Sequence, residues 1–118
     1  MRINDCAFRA ISAATGISLT RLHKVFGPMP RGGLLSSEIQ WLIDELNFEN
    51  KLTKSKSNSL DSWIRYHRKG KFVVNLGSSF LGNEMHAVAV VDGKVVGHYQ
   101  SHWPVIEYWE IGAEIKEE

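Results

Sequence analysis

The sequence predicts an α+β domain with helices first and a small antiparallel sheet after them, on three observations. Up to about residue 69 the apolar residues recur every three or four positions. From Lys71 onward they gather in short β-branched runs separated by glycine. Asp92-Gly93 stands between two of those runs as a two-residue hairpin turn. With 118 residues the chain builds one core, so residues 1-118 form one domain, helical over about 4-69 and sheet over about 71-111.

Composition narrows the function classes. A hydrophobic fraction of 43% against 23% charged residues excludes a disordered chain, and a net charge of +1 gives no overall basic field for nucleic acid. The single cysteine cannot form an internal disulfide, and no apolar run approaches the roughly 18 residues of a membrane span. The start of the chain has no apolar signal region, so Cys6 is expected in the mature protein, and a reducing cytoplasm is the expected location.

The first helix runs from Asn4, a good N-cap, to the stop at Gly16, with Cys6 near its second position. Cys6, Ala7, Ala10, Ile11, Ala13 and Ala14 leave little polar surface, so this helix is expected to be buried on several sides. Ser18 caps a second helix whose face carries Leu19, Leu22, Val25 and Phe26. The proline- and glycine-rich run 27-33 is a loop. Ser36 or Ser37 caps a third helix with Ile39, Leu42, Ile43 and Leu46 on its apolar stripe. Residues 49-59, rich in lysine, serine and asparagine, suggest a surface connection. Leu60, Trp63, Ile64 and His67 give one more helical pattern, ended by Gly70. Strands follow at 71-76, 85-91 and 94-96, and a last one at 105-111 alternates its sides.

Two residues carry possible chemistry. A lone cysteine on an apolar helix is ordinarily a small buried hydrophobe. Cys6, however, is placed at a helix N-terminus, where the dipole favours the thiolate, the reactive form. A cysteine nucleophile needs a base, and His86 is the best placed histidine, opening a strand one step after a glycine- and asparagine-containing loop.

Asn4-Asp5-Cys6 opening a helix that closes on Ala14-Thr15-Gly16, followed downstream by His86-Ala87-Val88-Ala89-Val90-Val91-Asp92-Gly93-Lys94, resembles the papain-like cysteine peptidase superfamily. The closer likeness is to peptidase domains that trim double-glycine leaders from bacteriocins, and to small phage-encoded proteins similar to them. It spans about residues 3-111 and rests on the two motifs together. The resemblance implies a papain-like fold with the cysteine on the first helix, Cys6 as nucleophile and His86 as base. It implies a peptide or protein substrate and, for a phage protein, the cytoplasm of the host cell; no cofactor and no metal are expected.

The family would place Asp or Asn on the strand after the hairpin, and Gly97-His98-Tyr99-Gln100 has neither. Gln100 is the residue able to accept the imidazole N–H and orient His86, without the charge that steadies an imidazolium. Asn4, with the Cys6 backbone N–H, is the candidate oxyanion donor, although its side chain is also the candidate helix cap. Trp103, between His102 and Pro104, is the candidate substrate-lining residue. His98 and His102 lie four apart on extended or loop backbone, where such spacing does not converge on a metal.

Two functions stay open: a thiol hydrolase, and a catalytically impaired scaffold that binds a phage or host protein. The basic run Arg65, Arg68, Lys69, Lys71 beside Trp63 and Tyr66 is weighed as an ordinary solvated helix end, so nucleic acid is not the expected partner.

Overall fold

The computed structural model describes residues 6–28, 34–77, 85–97 and 102–115. In chain order it has α1 (Cys6–Thr15), α2 (Leu19–Phe26), α3 (Ser36–Glu45), β1 (Phe48–Ser59), α4 (Leu60–Arg65), β2 (Lys71–Gly77), β3 (Met85–Val91), β4 (Lys94–Val96) and β5 (Pro104–Glu114). The five strands form one sheet in the order β1-β5-β2-β3-β4, each pair of neighbours antiparallel.

The local signals act as expected at several ends. Gly16, at φ 79°, stops α1, and its N–H donates to the Ser12 carbonyl. Ser18 and Ser59 cap α2 and α4 by accepting the Arg21 and Ser62 backbone N–H groups, each at 3.2 Å. Ser36 departs from expectation. Leu35 holds the cap position of α3, its N–H donating to the Glu38 carboxylate at 2.8 Å, and the Ser36 hydroxyl is turned to a different partner.

Residues 48–59 correct the sequence reading. They are not a surface connection but the longest strand, paired along β5 at the edge of the sheet. Their lysines and serines suit an edge, where charge discourages pairing with another chain, and alternation with Phe48 and Leu52 supplies the inward side. The sheet therefore draws one strand from the part expected to be helical.

Two apolar layers cover the two faces. On one, α1, α2 and α3 pack Ala7, Phe8, Ile11, Leu22, Ile39 and Leu42 onto Val73, Ala87, Ala89 and Trp109. On the other, Leu60 and Trp63 of α4 cover Phe72, Val74, Leu76, Val88, Val90 and Val105. β2 is buried from Phe72 to Gly77 because it lies between both layers at the centre of the sheet. Alanines on both α1 and β3 allow the helix to lie close on that strand.

The alternation expected in β5 holds from Glu107 to Ile111 and breaks at Ile106. Asn75 of β2 faces Glu107, but the next residue, Leu76, faces Val105, leaving Ile106 as an extra residue. This bulge turns Val105 to the α4 side while Glu107 and Trp109 face the other helices. Gly77 permits it: a Cβ there would fall 2.5 Å from the Ile106 side chain.

Candidate functional site

Cys6 is the first described residue of α1, half-buried and packed at the margin of the α1–sheet core. It opens the first turn of α1, the end of a helix at which the backbone dipole favours an anion. α1 lies mainly against β3, the strand in which His86 is the second residue.

Strand alternation fixes the side on which His86 falls. Ala87 and Ala89 face α1, whereas Val88 and Val90 belong to the layer under α4. His86 shares the period of Val88 and Val90, opposite Leu76 of β2, and its ring meets that of Trp103 edge-on, with centroids 6.0 Å apart and planes at 80°. Trp103 is half-buried against the same layer, and its carbonyl accepts the Leu60 N–H at 2.9 Å, which ties the entry of β5 to the start of α4. The structure thus brings Trp103 to His86, and brings the helix bearing Cys6 to the strand bearing His86.

Asn4 and Gln100 lie outside the described residues, as do Asp5 and His98. His102 is exposed, and among the described residues no three His, Cys, Asp or Glu side chains gather into a metal site.

One polar cluster was not anticipated. Glu107 is only 1% exposed, yet its carboxylate accepts from Lys54 Nζ at 2.5 Å, from Asn75 Nδ2 at 2.7 Å and from the Ser36 hydroxyl. Burial pushes its pKa up, but the hydrogen bonds from Lys54, Ser36 and Asn75 and the Lys54 charge outweigh burial and hold it below the ordinary glutamate value. The signal was present in sequence: Glu107 shares the period of Trp109 and Ile111, so a strand that buries those residues buries the carboxylate. Nearby, Trp109 Nε1 donates to Gln40 Oε1 at 2.9 Å, and Gln40 Nε2 donates to Asn50 Oδ1 at 2.8 Å, joining α3 to β1 and β5.

No protein-family model matches the sequence, and comparison with curated proteins finds no match.

Proposed function

We propose that the protein is a papain-like thiol hydrolase acting on a peptide or related acyl substrate, with Cys6 as nucleophile and His86 as base. The observation that carries this reading is that α1, headed by the sole cysteine, lies on β3, whose second residue is His86. His86 takes the thiol proton, and the thiolate attacks the substrate carbonyl to give a tetrahedral oxyanion. As that collapses to a thioester, the imidazolium gives its proton to the leaving group. Water activated by the neutral imidazole then releases the acid and restores the thiol. Trp103 walls the imidazole on the α4 side, Gln100 is the proposed orienter of His86, and Asn4 with the Cys6 N–H is the proposed oxyanion donor pair.

A second reading, a catalytically impaired papain-like scaffold that binds a phage or host protein, is favoured by one observation. The period of β3 directs His86 toward Trp103, away from the face that α1 covers. The two readings separate in a pre-steady-state assay with an activated ester. The hydrolase gives a burst stoichiometric with protein, absent in Cys6→Ala and slowed by about 10²-fold or more in His86→Ala. Equal ester turnover in wild type and Cys6→Ala would sink the hydrolase and leave the binder.

A further inference from the structure

The residues that follow α4 form a surface feature the proposed hydrolase does not use. Arg65, Arg68 and Lys69 border an open groove of about 400 Å³ floored by His67 and Phe72. Opposed to these three cations is one carboxylate in the groove, Glu110. Among the described residues no ion pair or hydrogen bond engages the Arg65, Arg68 or Lys69 side chains. The helix end accounts for Arg65 at most, and not for Arg68 or Lys69. α4 ends at Arg65, only that residue lies in its last turn, and the trailing Trp63 carbonyl is already met by the Tyr66 N–H and by His67 Nδ1.

The aromatic content of the groove is as unusual as its charge. Tyr66 is 82% exposed, the largest exposure of any large apolar or aromatic side chain described. The floor beside it is a cluster of packed rings. His67 stacks on Trp63 with centroids 4.0 Å apart and planes within 9°, and Phe72 and Tyr108 meet both rings edge-on. A solvent-facing aromatic ring beside unneutralised cations matches the needs of single-stranded nucleic acid: a plane for a base, and cations for the phosphates on either side. An acidic peptide would use the cations and gain nothing specific from the ring.

We infer that the Arg65–Lys69 groove binds single-stranded nucleic acid, with Tyr66 stacking on a base and Arg65, Arg68 and Lys69 on the backbone. Neutralising three phosphates gives a log affinity that falls with log salt at a slope of about −2. The test is fluorescence anisotropy of the full chain with labelled oligo-dT and oligo-rU over a salt series, with poly-glutamate as competitor. Arg68→Glu should abolish binding at moderate salt. Tyr66→Ala should weaken it about tenfold and Tyr66→Phe restore it, while Lys24→Ala, on α2, should leave it unchanged. The inference is overturned if neither oligonucleotide binds at low salt, if Tyr66→Ala binds as wild type, or if poly-glutamate competes as well as unlabelled oligonucleotide.

Discussion

Glu107 shows how much one buried side chain settles. A lone carboxylate in this position would cost several kcal/mol, and it is tolerated because three donors from α3, β1 and β2 converge on it. Asn75, at 2% exposure, and Ser36 supply the sheltered bonds. Lys54 keeps 71% of its side chain in water, so its charge is screened and contributes less than the short contact suggests. Glu107→Ala should therefore cost about 2–4 kcal/mol at neutral pH, since it strands the Asn75 and Ser36 donors, and Lys54→Ala about 1 kcal/mol or less. The folded carboxyl is held below its ordinary value, so its stabilisation is fully present above about pH 4.3 and is lost as pH falls through the depressed folded value. Urea midpoints of wild type and Glu107→Gln, measured from neutral to acid, should converge at low pH. A constant gap would show that ionisation of Glu107 contributes nothing.

At the scale of elements, the β3–β4 hairpin was legible because its turn chemistry is local. Asp92 and Gly93 both take positive φ, 50° and 82°, as a mirror-image turn demands. The turn is also anchored to the chain before β2: the Asp92 N–H donates to the Gly70 carbonyl at 2.8 Å, and the Gly70 N–H to Asp92 Oδ1 at 3.1 Å. Gly93→Ala forces a side chain into the left-handed region beside the Arg68 backbone, 3.4 Å away. It should cost about 1–2 kcal/mol, read as a lower thermal midpoint, whereas an unchanged midpoint would mean that the turn is not formed. β1 was illegible for the opposite reason. Its residues have low strand propensity, and what makes them a strand is a ladder to β5, a partner that arrives late in the sequence. The Ile106 bulge is likewise set by the approach of Gly77 and leaves no mark in local pattern.

For the whole molecule, the α+β class, the four helices and the strand carrying His86 followed from periodicity. The division of the sheet into two covered faces did not. It depends on which side each strand turns, and one residue of register exchanges the sides. That distinction bears directly on function. α1 brings Cys6 to one face of β3, and Trp103 meets His86 from the other, so the proposed pairing turns on how the helical layer and the sheet end meet. The most direct test is the pH dependence of Cys6 alkylation by iodoacetamide in the folded chain. Because Cys6 is the only cysteine, the rate reports a single site. An activated pair predicts half-maximal reactivity below about pH 7.5, moving toward the ordinary thiol value of about 8.5 in His86→Ala. A folded-chain profile that coincides with that of the urea-unfolded chain, and is unchanged in His86→Ala, would contradict it.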